Sequence, residues 1–313
     1  MIKVIMDCDP GHDDVFALLT LLAHPEKVQV LGFTTVVGNQ TLEKVTDNLL
    51  RVLTLIQSDV PVSAGAKVHL NGKTYVQPGA HGESGLDGAA LPMATRHVTG
   101  INAVEWIKDI LEKSDEKIVL IPTGPLTNIA ELLTKYPHIK SKIEKITLMG
   151  GSVYRGNVTS MAEFNIWADP EAAKIVFESG LPLIMSGLEV CHAASLLHEE
   201  VDQFDTKEPV STMVHGLLGF FNAFAKKLNQ PGSPMFDVCP VMHLLYPELF
   251  IGERMKVDIE VDGNLTRGKT VCDTRLWADP KETNALVLMD VDRPAFIQRF
   301  VEAIRITDQR IRQ

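Results

Sequence analysis

The stretch Asp7-Cys8-Asp9-Pro10-Gly11-His12-Asp13-Asp14 places four carboxylates within eight residues. Lys3-Val4-Ile5-Met6 just before it has the pattern of a short buried strand. Val15 to Ala23 after it is apolar apart from Thr20, the pattern of a buried helix. Pro10-Gly11 marks a turn between the two. The acids therefore fall where a strand ends and a helix begins, the place where open α/β sheets hold their ligands. One acid at a helix start is ordinary capping, because free N–H groups and the positive dipole end favour a carboxylate. Four exceed that need. Like charges this close raise one another's pKa unless a cation lies among them. Carboxylate oxygens suit a hard cation such as Ca²⁺ or Mg²⁺. The competing account of this stretch alone is a solvated turn with one cap.

The same rhythm continues outward. Val28 to Val37 is rich in β-branched residues and reads as a strand, ending in Gly38-Asn39-Gln40-Thr41 before a helix from about Leu42 to Ile56. Val60 to Val62, Lys117 to Pro122, Lys145 to Met149 and Pro182 to Gly187 read as further strands, and helices alternate with most of them. Ala193 to Leu228 reads as helical, as does the run from Asp237 to Leu245. Met255 to Val261, Lys269 to Asp273 and Ala285 to Val291 read as strands of an antiparallel edge, and a last helix runs from Pro294 to about Ile306. The expected fold is α/β: an open, doubly wound, mostly parallel sheet with an antiparallel edge and a helical subregion. No repeat or linker divides the chain, so a single domain over 1–313 is expected.

Composition narrows the partners. A net charge of −10 argues against nucleic acid and against anionic membranes. No apolar run reaches membrane-spanning length, and the first residues read as a strand and not as a leader. Cys8, Cys191, Cys239 and Cys272 form no C-x-x-C pair, which argues against structural zinc. A cytoplasmic protein is the expectation.

Two stretches stand out as candidates for function. Residues from about Lys67 to Thr99 lack a clear period and centre on His81-Gly82-Glu83-Ser84-Gly85, a candidate lid or a solvated loop. Asn157, Glu163 and Asn165 are polar groups among apolar ones, although turn roles account for the two asparagines equally well. Asp169-Pro170 is a helix start, with Asp169 as cap.

Taken together, five segments resemble the inosine-uridine preferring nucleoside hydrolases: DCDPGHDD (7–14), TTVVGNQT (34–41), HGESGLDG (81–88), IPTGPLTNIA (121–130) and LMGGSVYRGNVTSMAEFNIWADPEAA (148–173). The resemblance implies hydrolysis of the N-glycosidic bond of ribonucleosides to free base and ribose. It implies one Ca²⁺, held by Asp9, Asp14, the Thr123 carbonyl and Asp237. A Ca²⁺-bound water would attack, with Asp9 as general base, through an oxocarbenium-like state. Asp13, Asn39, Asn157, Glu163 and Asn165 would bind ribose, with Met149 beside the sugar. The family is commonly dimeric or tetrameric, so a homo-oligomer is expected.

One position departs from the pattern. Many members carry His before the ligand Asp, where this chain reads Phe236-Asp237. Phe cannot donate a proton to the leaving base, though its ring can stack on one. His81, Tyr154 and His215 are candidates for a replacement donor. His192, His198 and His243 read as surface or packing residues, and Trp277, in a late loop, as a packing residue or a group near the base. The departure opens two alternatives: a narrowed or shifted N-riboside specificity, or a protein that binds nucleoside or ribose without turnover. A Mg²⁺ phosphotransferase with an aspartyl nucleophile is a weaker fit, because no basic residue accompanies the acids.

Overall fold

The computed structural model describes residues 1–204 and 206–312. Strands β1 (Ile2–Cys8), β2 (Val28–Thr35), β3 (Val62–Ala64), β4 (Ile118–Pro122), β5 (Ile143–Met149) and β6 (Leu183–Ser186) join two later strands in one eight-stranded sheet. The order is β3-β2-β1-β4-β5-β6, then Ala285–Val291, then Phe250–Met255. All neighbours are parallel except the last pair, which forms an antiparallel edge.

Burial alternates along the inner strands. Val4 and Met6 of β1 pack into one apolar cluster with Phe16, Phe33 and Phe300, while Ile5 packs into a second with Leu120, Ile129 and Ile146. Both faces are thus covered, which is why the parallel strands read as continuous apolar runs. Helix α1 (His12–Leu22), the helix Val238–Leu245 and the C-terminal helix Arg293–Ile311 cover the first face. Ala103–Lys113, Thr127–Lys135 and Pro170–Phe177 cover the second. β1 is flanked by β2 on one side and β4 on the other, so the chain reverses its winding direction at the carboxyl ends of β1 and β4. That reversal opens a crevice into which Asp9 and Thr123 follow directly.

Two expectations are corrected. The helix expected over 193–228 is shorter: a helix Leu188–Ala193 ends early, and the long one is Pro209–Lys227. Pro209 lacks an N–H and is pre-set for a first helical turn, so the helix starts there. The strand expected over 255–261 splits at Lys256. Phe250–Met255 is the sheet edge, and Val257–Ile259 leaves to pair with Thr270–Cys272 in a small ribbon. The Asn284 amide replaces the sheet partner at Val257, accepting from its N–H at 2.7 Å and donating to its carbonyl at 2.8 Å.

Asn128 ties the centre together. Its amide donates to Asp7 Oδ1 at 2.8 Å and to the Thr35 carbonyl at 3.0 Å, and accepts from the Ala66 N–H at 2.9 Å. Removing it leaves the half-buried Ala66 N–H unpaired, at a cost of about 1–3 kcal/mol, while Asp7 Oδ1 keeps Thr34 and the Thr35 carbonyl keeps the Gly65 N–H. Asn128→Ala is expected to destabilise the protein by about 2–3 kcal/mol in urea unfolding; a loss under about 1 kcal/mol would show that the network relaxes around the gap.

Candidate active site

The four acids of the opening stretch part company once the chain folds. Asp7 is the last but one residue of β1 and points into the sheet layer, accepting from Thr34 Oγ1 at 2.5 Å and from Asn128. Burial pushes it up to about 7. Asp9, Asp13 and Asp14 lie at the crevice, in the turn and first helical turn after β1, where unpaired N–H groups gather. Asp14 Oδ2 accepts from the Gly11 N–H at 3.0 Å and the Asn39 amide at 3.1 Å, and its Oδ1 from Thr123 Oγ1 at 2.8 Å. Asp9 Oδ2 accepts the Asn39 N–H at 2.7 Å, while its Oδ1 is buried without a partner. Glycines make that approach possible: a Cβ at Gly38 would lie 2.0 Å from Asp9 Oδ2.

Asp237 arrives from the far end of the chain, at the start of the helix Val238–Leu245. Oxygens of Asp13, Asp14 and Asp237 lie within 4.8 Å of one another, all buried. Asp9 is not part of this mutually close set, whereas Asp13, which the family resemblance put on the sugar, is. Burial pushes all four acids up, and their charges add to it for Asp9, Asp13 and Asp237; Asp13 reaches about 7. Among the described residues no Lys or Arg forms an ion pair with any of them. An all-oxygen donor set with orphaned Oδ1 atoms on Asp9 and Asp13 fits a hard divalent cation.

Above the acids opens a cavity of about 730 Å³. Of the residues picked out in the sequence, Asp13, Asn39, His81, Thr123, Met149, Asn157, Glu163, Asn165, Phe236 and Asp237 line it, and Asp9 and Asp14 do not. The segment after β5 builds one wall. Glu163 caps the short helix Phe164–Ala168 and also accepts from the Gly151 N–H at 2.9 Å, and burial pushes it up to about 7. Asn165 donates to the Thr123 carbonyl at 2.7 Å and to the Met149 carbonyl at 3.3 Å. Asn157 Oδ1 accepts from the Phe164 N–H at 3.0 Å.

The opposite wall was not foreseen. Phe221 and Phe224 of the helix Pro209–Lys227 line the cavity beside Phe236, with Phe221 and Phe236 edge to face at 6.5 Å. The signal was present in the aromatic run Phe220, Phe221, Phe224, which reads equally well as core. His192, expected at a surface or in packing, lines the cavity with its ring 5.9 Å from Phe236. Burial and then Arg155 hold it below the ordinary His range. Of the proposed donors, only His81 lines the cavity. Tyr154 is exposed outside it, and His215 and Trp277 also lie off it.

A mostly parallel α/β sheet with a buried carboxylate floor, an amide-rich wall and an aromatic wall defines a small-molecule site at the switch point of the sheet. The comparisons agree. The model for inosine-uridine preferring nucleoside hydrolases matches residues 4–298, and the chain belongs to that family. Among curated relatives, pyrimidine-specific ribonucleoside hydrolase RihA of Shewanella sp. (strain MR-7) is 45% identical, over 97% of this chain and 96% of its own. RihA of Shigella boydii serotype 4 is 43% identical, over 97% and 98%. Among solved structures, a purine-preferring ribonucleoside hydrolase from Gardnerella vaginalis superposes with a TM-score of 0.91 at 31% identity, covering 98% of this chain and 99% of its own. The protein is thus an enzyme of the nucleoside hydrolase class. Among the described residues no helix is long and apolar enough to cross a membrane.

Proposed function

We propose that the protein hydrolyses the N-glycosidic bond of ribonucleosides to base and ribose, with pyrimidine ribonucleosides preferred and Ca²⁺ as cofactor. The observation that carries this is the buried set of Asp13, Asp14 and Asp237 oxygens, beside Asp9, beneath a cavity lined by Asn39, Asn157, Glu163 and Asn165. The pyrimidine preference rests on the identity to RihA relatives.

In this reading Asp9, Asp14, Asp237 and the Thr123 carbonyl hold the cation. A bound divalent cation neutralises the acids and makes water a better nucleophile. Asp9 would take the proton of the attacking water through its unpartnered Oδ1. Asn165 holds the Thr123 carbonyl in place and, with Asp13, Asn39, Asn157 and Glu163, binds the ribose. Met149 packs beside the sugar. Phe236, Phe221 and Phe224 form an apolar wall for the base, and His81, the donor candidate that reaches the cavity, serves the leaving base. A cytoplasmic homo-oligomer completes the proposal; light scattering tests its assembly.

Ribose release from a ribonucleoside panel, with and without a Ca²⁺ chelator, is the deciding experiment. Uridine and cytidine are expected to exceed inosine, and chelation to abolish release from all three. No release from a folded, Ca²⁺-loaded protein would leave the alternative of a nucleoside-binding protein, marked by Phe236. A site that pairs with each ribose hydroxyl leaves buried polar groups unsatisfied when one is missing. So 2′-deoxyuridine is expected to react with kcat/KM at least about 10³-fold below uridine; comparable values would remove these residues from ribose recognition.

A further inference from the structure

Lys269 is buried just before the ribbon strand Thr270–Cys272, and the mechanism gives it no task. Burying an ammonium is costly unless its donors are met, so a position that only packs favours an apolar side chain. Here every donor is met. Nζ donates to the Ser152 carbonyl at 3.0 Å, to Ser152 Oγ at 3.3 Å and to the Val153 carbonyl at 2.9 Å. An ammonium has three donors and no acceptor, and three oxygens of one short segment receive them. That segment is the turn after β5, 117 positions earlier in the chain.

The same turn is gripped from two further sides. Thr270 Oγ1 accepts from the Ser152 N–H at 2.8 Å and donates to the Ser152 carbonyl at 2.6 Å. With Lys269 on the other side, both lone pairs of that carbonyl are used. Glu189, on the helix Leu188–Ala193, accepts from the Val153 N–H at 3.0 Å and from the Tyr154 N–H at 3.0 Å. The carbonyls of the turn thus face a cation and its N–H groups a carboxylate, and charge-assisted bonds of this kind are the strong ones. Gly151 lets the ribbon come this close: its φ is +76°, and a Cβ there would lie 2.7 Å from the Thr270 side chain.

None of Lys269, Thr270 and Glu189 lines the cavity, but what they hold does. One residue before Ser152, the Gly151 N–H donates to Glu163 Oε2 at 2.9 Å. Beyond Tyr154 the segment carries Arg155, Gly156 and Asn157 into the cavity wall. We propose that Lys269 is a positioning residue for sugar binding: its ammonium, opposite the Glu189 carboxylate, clamps residues 150–157 so that Glu163 and Asn157 stay set against the ribose. This inference rests on the ribose roles proposed above for those two residues. Among the described residues neither Lys269 nor Thr270 bonds to the acids of the floor, so the clamp acts on the sugar and not on the cation.

Calorimetric titration of the Ca²⁺-loaded protein with ribose reads the clamp without turnover. Lys269→Met keeps the length of the stem and removes the donors. It is expected to weaken ribose binding and to raise KM for uridine about tenfold each, with kcat within about threefold. The rise in Tm brought by Ca²⁺ is expected to match that of wild type. Thr270→Val is nearly isosteric, loosens the same turn and is expected to weaken ribose about threefold; it carries the test if Lys269→Met does not fold. A double-variant cycle shows whether Lys269 acts through Glu163. Glu163→Gln alone is expected to weaken ribose about 30-fold, and under about threefold when added to Lys269→Met. Unchanged ribose affinity at a lowered Tm would show a packing role and overturn the proposal, as would fully additive losses in the cycle. Wild type that neither binds ribose nor releases it would overturn the ribose reading and this inference with it, whereas ribose held equally by wild type and variants overturns the inference alone.

Discussion

Asp9→Asn is expected to lower kcat about 10³- to 10⁴-fold on uridine and on 4-nitrophenyl β-D-ribofuranoside alike. Both substrates need the same attacking water, so loss of the general base cannot be spared by a better leaving group. Asn is close to isosteric, and its side-chain oxygen still accepts the Asn39 N–H that Asp9 Oδ2 accepts at 2.7 Å. What it removes is the charge and the free basic Oδ1. The same substitution removes a like charge from beside Asp13 and Asp14, which raise the Asp9 pKa along with burial. The metal-free variant is therefore expected to melt higher than metal-free wild type at pH 8 while being nearly inactive, an exchange of stability for function often seen at active sites. Loss of activity on uridine alone would assign Asp9 to the leaving-group side; unchanged activity would remove it from catalysis.

The second large effect couples pH to the cation. Burial holds Asp13, Asp7 and Glu163 at about 7 in the folded chain, whereas unfolded carboxyls titrate near ~4. Below ~4 both states are protonated and these groups contribute nothing. As pH rises from ~4 to ~7 the unfolded chain sheds protons that the folded chain retains, so unfolding becomes easier, and above ~7 the loss levels off. Metal-free protein is thus expected to be more stable at pH 5 than at pH 8. A divalent cation opposes the trend, because it would bind the neighbouring carboxylates Asp9, Asp14 and Asp237, which burial also pushes up, in their charged form. Excess Ca²⁺ is expected to raise Tm by at least about 5 °C at pH 8 and by much less at pH 5. Equal melting with Ca²⁺ and with chelator at both pH values would mean that the acids do not bind Ca²⁺.

These two effects meet in one place because of the sheet. β1 lies between β2 and β4, and the acids that follow β1 face the turn that follows β4, where Thr123 donates to Asp14 at 2.8 Å. Asp237 lies more than two hundred residues further along, and the helix Val238–Leu245 packed against α1 brings it in. The acidic cluster is thus assembled from three elements that share one crevice.

The chain by itself determined the fold class and the main actors. Strand and helix periods are local properties, and burial on both faces writes the parallel strands as continuous apolar runs, so the βα rhythm is legible without coordinates. The acidic stretch is legible for the same reason: carboxylates in excess of capping signal a task wherever they fall. Tertiary structure alone decided which of those acids share a site. Asp7 turns into the sheet layer and Asp9 into the crevice, because residues two apart in a strand share a side but the chain leaves the strand between them. It also decided that Phe221, Phe224 and His192 face the cavity, although their spacing reads as core. Most of all it decided the contact of Lys269 with Ser152, between residues 117 positions apart. No local pattern specifies such a pair, since it depends on how the small ribbon packs against the turn after β5.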